Sequence, residues 1–180
     1  MAFNINTIRQ ELRGGGARQN LFEVLITIKG ATRSNEASNK TLFMCQAAQL
    51  PSSQVGTIQV PYFGRFLKLA GDRTFDPWTV TIINDEDFLI RNAMEEWSNG
   101  INLLQANERE LVDYKSTAQV TQYSKTGTAI RTYNFEGIFP SAVSSIDLGW
   151  DQNDAIETFQ VEFQYDYFTV SGPTGTITGN

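Results

Sequence analysis

Polar and apolar residues alternate along much of the chain, and a period of two predicts β-strands. In residues 77–83, Trp78, Val80 and Ile82 face one side, and the threonines between them face the other. The same reasoning predicts seven strands in the first three quarters of the chain, including a hairpin around Gly64. These strands are 21–28, 41–47, 56–63, 65–70, 77–83 and two within 118–139 that join at a turn over 126–128.

The clearest alternation lies near the C-terminal end. Aromatic and apolar residues at every second position share one face, and polar or acidic residues share the other. The apolar face carries Phe159, Val161, Phe163, Tyr165 and Tyr167, and the polar face carries Gln160, Glu162, Gln164 and Asp166. We therefore expect one continuous strand with a buried aromatic face.

One internal helix is predicted after the fifth strand. Asn84 or Asp85 can cap its N-terminus, and Glu86 and Asp87 suit the positive end of its dipole. An apolar stripe at helical spacing follows, and Gly100 is expected to end the helix. The stripe comprises Leu89, Ile90, Ala93, Met94 and Trp97. We expect it to cover one face of a sheet.

The N-terminal segment has a different pattern. Ile8 and Leu12 lie four residues apart within 3–13, which predicts a short amphipathic helix, and the glycines at 14–16 end it. Such an arm either docks on a neighbouring molecule or stays disordered, and the sequence leaves both open.

Two further segments, 31–40 and 101–116, are polar and are expected to be loops. The predicted organisation is an N-terminal arm over 1–16, a β-domain over 17–170 and a flexible C-terminal tail over 171–180.

Seven or eight strands with one flanking helix and no internal repeat favour a mainly β fold, an antiparallel sandwich or barrel. Its aromatic core is expected to contain Trp78, Trp97, Phe159, Phe163 and Tyr165. Unpaired strand edges recruit other chains, so a protein of this type can use them to assemble.

Composition narrows the possible functions. The chain of 180 residues contains no histidine, which removes histidine-assisted nucleophiles and conventional zinc sites. Its one cysteine, Cys45, lies in an apolar stretch and is expected to be buried and structural. The acidic run at 151–154 does not match a calcium-binding loop, because position 156 holds isoleucine where glycine is required. We expect no catalytic residue, no cofactor and no bound metal.

The charges are distributed unevenly. Residues 1–73 carry nine basic and four acidic side chains, whereas residues 74–180 carry five basic and sixteen acidic ones. Either this is ordinary solvated surface, or a basic surface of one copy meets an acidic surface of the next. An acidic chain without a cluster of lysine and arginine is a poor candidate for tight nucleic-acid binding.

No apolar run approaches the length of about 20 residues that a membrane helix needs. The N-terminus lacks the apolar centre of a signal peptide, so synthesis in a cytoplasm is expected.

The run AGDRTFDPWTVTIINDEDF at 70–88 closely resembles the tail tube proteins of T-even-type contractile bacteriophages. Three further blocks resemble the same family in the same order: ARQNLFEVLI at 17–26, MCQAAQLPSSQVGTIQVPYFGR at 44–65 and GIFPSAVSSIDLGWDQNDAIETFQVEFQYDYF at 137–168. Together these blocks span most of residues 17–168.

The resemblance implies a structural protein of the virion tail. In that family six subunits share their sheets in a continuous barrel, and the hexameric rings stack head to tail into a tube. The resemblance implies that a sheath surrounds the tube, that baseplate and tail terminator proteins lie at its ends, and that tape measure protein and then double-stranded DNA occupy its lumen without specific binding. It also implies assembly in the host cytoplasm and no membrane binding.

The resemblance implies two roles in assembly for particular residues: contacts between stacked rings, and the wall of the lumen. Arg65, Lys68 and Arg73 are candidates for contacts between rings. An acidic wall repels phosphates, so acidic and polar residues opposite the aromatic core are candidates for the lumen. The lumen candidates are Asn134, Glu136, Glu162 and Asp166. For any one of these residues, a position facing the sheath or solvent is an equal alternative.

Two rival functions remain open from sequence. One is the inner tube of a phage-derived injection particle that carries no genome. The other is a monomeric carbohydrate-binding β-sandwich, which the strand pattern also permits.

Overall fold

The computed structural model of the chain describes residues 5–104, 113–173 and 175–177. Within them lie three α-helices, a short 3-10 turn over Arg13–Gly15 and nine strands. The helices are α1 (Ile5–Glu11), α2 (Ser34–Met44) and α3 (Leu89–Ile101). The strands are β1 (Phe22–Ile26), β2 (Cys45–Ala48), β3 (Ser53–Tyr62), β4 (Arg65–Phe75), β5 (Trp78–Ile83), β6 (Ser116–Tyr123), β7 (Ala129–Val143), β8 (Thr158–Gln164) and β9 (Tyr167–Ser171).

All the strand pairs are antiparallel, and β7 connects two layers of sheet. Its first part pairs with β6 on one side and β9 on the other, while its last residues pair with β8. The first layer therefore contains β1, β6, β7 and β9, and the second contains the end of β7 with β8, β5 and β2. The bend lies at Gly137, whose φ of 70° favours glycine. A Cβ there would lie 2.1 Å from Asp166 Oδ2, so the bend leaves no room for a side chain.

The core lies between the inward faces of the two layers. Trp78 of the second layer stacks on Phe135 of the first, with ring centroids 4.4 Å apart, and it also contacts Phe163. Helix α3 adds Trp97, which is fully buried against Phe163. All five aromatic residues that the sequence assigns to the core are buried. The indole N–H groups of Trp78 and Trp97 donate to the carbonyl oxygens of Gln49 and Tyr114, so neither polar atom is buried without a partner.

Helix α2 covers the outer edge of β1. The backbone N–H groups of Ile26 and Ile28 point away from β6 and donate to Thr41 Oγ1 at 3.2 Å and Ser38 Oγ at 2.9 Å. The prediction of a loop over 31–40 is therefore wrong, and so is the prediction that the following strand begins at Thr41. The residues that α2 buries are Ala37, Ser38 and Thr41, which do not form an apolar stripe in the sequence.

Helix α3 has the predicted apolar stripe, with Ile90, Ala93, Met94 and Trp97 buried. Its predicted ends are wrong. It begins at Leu89, and neither predicted cap residue caps it: Asn84 contacts Glu157, and Asp85 contacts Lys40. Asp87 contacts Lys40 and also accepts from the Leu89 N–H at 3.0 Å, as its predicted place at the start of the helix requires. It continues through Gly100 to Ile101.

The predicted C-terminal strand divides in two. β8 ends at Gln164, a turn at Tyr165 and Asp166 crosses from the second layer to the first, and β9 begins at Tyr167. The backbone N–H of Asp166 donates to the carbonyl of Glu136 at 3.0 Å, which places this turn against the bend in β7. Tyr165 is buried as predicted, but Tyr167 is 45% exposed, so its predicted inward facing is wrong.

The remaining predictions concern the ends and turns. The short N-terminal helix, the hairpin around Gly64 and the strands joined over 126–128 are confirmed. Residues 105–112 of the predicted loop, and residues 1–4, 174 and 178–180, lie outside the described residues. In the C-terminal segment, Val170 and Ile177 form an antiparallel bridge. None of the described helices combines the length and the apolar character that crossing a bilayer requires.

Candidate assembly surfaces

The hairpin of β3 and β4 leaves most of its side chains in solvent on both faces. All ten residues of β3 and most of β4 are exposed, and the two strands pair only with each other within the described residues. The hairpin contains eight large exposed apolar residues. They are Val55, Ile58, Val60, Tyr62, Phe63, Phe66, Leu67 and Leu69. Exposed apolar surface of this extent marks a contact with another molecule.

The tip of the hairpin is aromatic and strained. Phe63 is 92% exposed and has a φ of 41°, a left-handed conformation that few residues other than glycine adopt. The Tyr62 ring meets it edge to face, with centroids 4.6 Å apart. Strain of this kind is common at functional sites.

The three candidate ring-contact residues lie along this hairpin at different heights. Arg65 pairs with Tyr62 beside the tip, and Lys68 pairs with Gln59 in the distal half. Arg73 lies near the base, where its Nη1 contacts Ser53 Oγ at 3.4 Å.

The base of the hairpin is fixed to the core. Phe75 packs on Tyr165 and Phe168, with centroid distances of 5.7 and 5.8 Å. Ser52 Oγ donates to Asp76 at 2.6 Å directly below the first strand. Burial and then the charge of Asp76 raise the pKa of Tyr165, which keeps this phenol neutral. The hairpin therefore stands on a rigid aromatic support.

The outward face of the first layer is polar and open. Asn134 and Glu136 lie on it, next to a shallow depression of about 240 Å³ that Gln119 also lines. Gln119 Nε2 donates to Asn134 Oδ1 at 2.9 Å across neighbouring strands. At one side of the same layer, Glu23 accepts a hydrogen bond from the Tyr123 hydroxyl, which raises the pKa of Tyr123.

The other two lumen candidates lie elsewhere. Asp166 occupies the turn between β8 and β9, close to Glu136, and Lys115 Nζ lies 2.7 Å from its carboxylate. That contact raises the pKa of Lys115 and offsets the charge of Asp166. Glu162 lies on the outward face of the second layer, where it accepts from Ser141 Oγ at 3.0 Å. Since the inward faces of the layers pack together, the two outward faces point in opposite directions. The structure therefore groups Asn134 with Glu136 and separates Glu162 from them.

The loop between β7 and β8 forms a cavity against the second layer. Most of residues 144–157, together with outward-facing Thr81 and Gln160, line a cavity of about 640 Å³. The loop exposes Leu148, Trp150 and Ile156, and Trp150 is fully in solvent. Its ends are held in place: Ser144 Oγ accepts from the Gln160 N–H at 2.8 Å, and Asn84 Nδ2 donates to Glu157 at 3.1 Å.

Sequence reasoning missed the aromatic tip and this apolar loop as surfaces. The sequence did contain a signal for each surface. Large apolar residues lie at a predicted hairpin turn and in a segment without strand or helix periodicity, and residues at such positions are not expected to belong to the core.

The Cys45 thiol and the carboxylates are the side chains whose chemistry bears on nucleophilic and metal sites. Cys45 is half-buried, not buried as predicted, and this partial burial raises the pKa of its thiol to about 12, so it stays protonated and is a poor nucleophile. Among the described residues, no three cysteine or carboxylate side chains converge as a metal site would require.

A charged cluster connects α2 to the segment before α3. Lys40 Nζ lies 2.8 Å from Asp85 and 2.6 Å from Asp87. The hydrogen bonds from Lys40 lower the pKa of both carboxyls and raise that of the lysine. The cluster fixes the helix that covers the edge of β1.

Comparison with known proteins agrees with this picture of an assembly protein. A family model described as phage tail tube protein matches residues 17–171. The tail tube protein gp19 of Enterobacteria phage T4 is 38% identical over 159 residues, which cover 86% of this chain and 92% of that protein. Two solved structures at lower identity share the fold. They are the tube-terminating cap of the anti-feeding prophage (19% identity, TM-score 0.62, 87% of this chain and 91% of that chain) and an extracellular contractile injection system, PVC, as a sheath-tube complex (17% identity, TM-score 0.59, 95% and 99%).

Proposed function

This chain belongs to the phage tail tube protein family, and we propose that it assembles into hexameric rings that stack as the hollow tube of a contractile phage tail. The role of the family is structural, so the protein contributes shape, stiffness and contacts. The tube would lie inside a sheath, end at baseplate and terminator proteins, and hold first a tape measure protein and then the passing genome. Assembly would take place in the host cytoplasm.

The observation that carries this proposal is the exposed hairpin. Eight large apolar side chains of this hairpin lie in solvent, although its base packs on the aromatic core. Among the described residues, β3 and β4 pair with each other and with no third strand. An isolated subunit gains nothing from this arrangement, whereas a neighbouring subunit can bury it. The basic residues Arg65, Lys68 and Arg73 would then meet acidic groups of the adjacent ring.

Closure of a ring requires sheet edges that remain available. In the part of the chain that the structure describes, β2 of the second layer pairs only with β5, and β9 of the first layer pairs with β7 and, at Val170, with Ile177. The first layer ends at β1, whose edge α2 covers at Val24, Ile26 and Ile28. We propose that free edges of neighbouring subunits pair, which joins their sheets into one barrel.

The channel wall is best supplied by the outward face of the first layer. This face is polar, carries Glu23 and Glu136, and is not crossed by the apolar loop that borders the second layer. Double-stranded DNA would pass a wall that repels its phosphates and offers few contacts. On this proposal, Asn134 and Glu136 face the lumen, Asp166 lies at its margin, and Glu162 lies on the opposite side.

Negative-stain microscopy and sedimentation velocity over a wide concentration range test the assembly. We expect hexameric rings and, at higher concentration, tubes with a continuous channel. A folded chain that stays monomeric at every concentration would contradict the proposal and favour a carbohydrate-binding sandwich.

The fold likeness to the PVC sheath-tube complex supports a second candidate, the tube of a phage-derived injection particle. Both candidates predict the same rings. Neighbouring genes separate them, because capsid, portal and terminase genes belong only to a particle that packages a genome.

A further inference from the structure

The β7–β8 loop is an acidic and apolar surface. Residues 144–157 contain four acidic side chains and no basic one. Three apolar side chains, Leu148, Trp150 and Ile156, lie in solvent around the cavity that this loop forms. Acidic Asp147 and Glu157 line the same cavity. We name residues 144–157 the seat.

The hairpin tip has the complementary character. Tyr62, Phe63 and Phe66 are exposed aromatic residues, and Arg65 and Lys68 lie among them. Across the whole hairpin there are three basic side chains and one acidic one. Aromatic residues and arginine are the side chains that protein interfaces favour. A cavity of about 640 Å³ is within the range that holds a drug-sized ligand, so it has room for two aromatic rings.

The base of the hairpin and the seat lie at opposite ends of β5. The hairpin emerges from the start of β5 at Trp78, which pairs with Phe163. The seat adjoins the other end of β5, where Ile83 pairs with Thr158 and the Ser144 N–H donates to the Gln160 carbonyl. A strand of ten residues is about 33 Å long. A hairpin of this length is long enough to bring its tip into contact with a neighbouring molecule.

We propose that the hairpin tip of one subunit inserts into the seat of the next subunit along the tube, with Tyr62 and Phe63 against Leu148 and Trp150. Each copy then offers a tip at one end and a seat at the other. A head-to-tail contact generates an open stack when successive copies are displaced along one axis, as they are along a tube. The proposal rests on the proposed function and assigns the partner surface of the hairpin.

Disulfide trapping tests the contact directly. Cys45 is replaced by serine so that each chain carries one engineered thiol, and F63C chains are mixed with L148C chains and oxidised. We expect mixed covalent dimers in several-fold greater yield than from F63C with T126C, a matched exposed position in the β6–β7 turn. A chain with both F63C and L148C should form a ladder of multimers. Equal yields for the two pairings would overturn the contact.

Tryptophan fluorescence gives a second measurement. Trp78 and Trp97 are buried within the subunit, and Trp150 is fully exposed, so a change on assembly reports Trp150. We expect a shift to shorter wavelength when tubes form and no shift in W150F tubes. Wild-type tubes that keep the emission of the dispersed subunit would overturn the proposed seat.

These outcomes separate the contact from the tube. If the wild-type chain forms neither rings nor tubes, the proposed function is wrong, and the trapping yields still decide whether tip and seat meet. If tubes form and F63C traps no better with L148C than with T126C, only the contact is wrong.

Discussion

Phe163 lies between Trp78 of the second layer and Trp97 of helix α3, with centroid distances of 5.6 and 6.3 Å. It is completely buried, so one side chain joins a strand pair to the helix that covers it. Residues of this kind determine how firmly the subunit keeps its shape.

We expect Phe163→Ala to lower the free energy of unfolding by about 3–5 kcal/mol, because the substitution removes buried contacts and leaves a cavity. For a chain of this length the melting temperature of dispersed subunits should fall by roughly 6–20 °C. Calorimetry measures the change. Tyr167→Ala is the matched control, since that aromatic side chain is 45% exposed, and an equal loss in both variants would contradict the assigned facing.

The Lys40 cluster should make part of the stability depend on pH. Its aspartates have pKa values lowered from the ordinary 3.8, so their contribution is present above that value and is lost as the pH falls through the folded-state pKa. The lysine has a pKa raised from 10.5, so its contribution is lost as the pH rises through the raised value.

We therefore expect Lys40→Met to destabilise the subunit by a constant amount between about pH 4 and pH 10, and by less at either extreme. Urea unfolding of both chains across this range measures the difference. Lys29→Met is the control, because Lys29 pairs with Asp113 and not with Asp85 or Asp87. A difference that persists undiminished at pH 2 would contradict the assignment.

At the scale of elements, the two-stranded hairpin and the long strand β7 have contrasting roles. β7 joins the two layers through its bend at Gly137 and is surrounded by β6, β8 and β9. The hairpin instead adds exposed surface. At its register shift the backbones of Gly56 and Gly71 pack closely, since a Cβ on Gly71 would lie 3.2 Å from the Gly56 backbone.

Reversal of one charge on the hairpin should weaken ring stacking without unfolding the subunit. Exposed ion pairs contribute about 0–1 kcal/mol each, but every ring repeats the contact. We expect Lys68→Glu to shorten tubes at low salt, with a smaller effect at high salt because ions screen the contact. Electron microscopy gives the length distribution. Lys125→Glu makes the same charge change in the exposed β6–β7 turn, and equal shortening in both variants would remove Lys68 from the interface.

At the scale of the whole molecule, the packing of two layers gives the subunit two outward faces with different surroundings. One is an open polar face with Asn134 and Glu136, and the other carries Glu162 and borders the seat. A tube needs one face toward the channel and another toward the sheath, so the lumen candidates cannot all act together.

Charge reversal on each face separates the two assignments. Lysine in the channel would be repeated six times in every ring, and each phosphate contact would hold the DNA in a salt-dependent way. We expect phage with Glu136→Lys to form normal tails and to eject their genome several-fold more slowly, whereas phage with Glu162→Lys should eject at the wild-type rate. Time-resolved DNA release measures both. The opposite pattern would show that the second layer lines the channel.

The sequence by itself determined the parts that depend on local periodicity. The alternation in β5 and β8, the apolar stripe of α3 and the hairpin around Gly64 all appear in the structure, because strand and helix periods place every apolar side chain on one face. The family was also evident from sequence, since four ordered blocks carried it.

Only the tertiary structure decided the parts that depend on distant residues. Helix α2 has no apolar stripe, and the two hydroxyls that hold it to β1 join residues more than nine positions apart in sequence. The break between β8 and β9 follows from contact of Asp166 with the bend in β7. The separation of Glu136 from Glu162 has the same cause. Alternation shows that a side chain points away from the core. Only the packing of the two layers decides on which of the two outward faces that side chain lies.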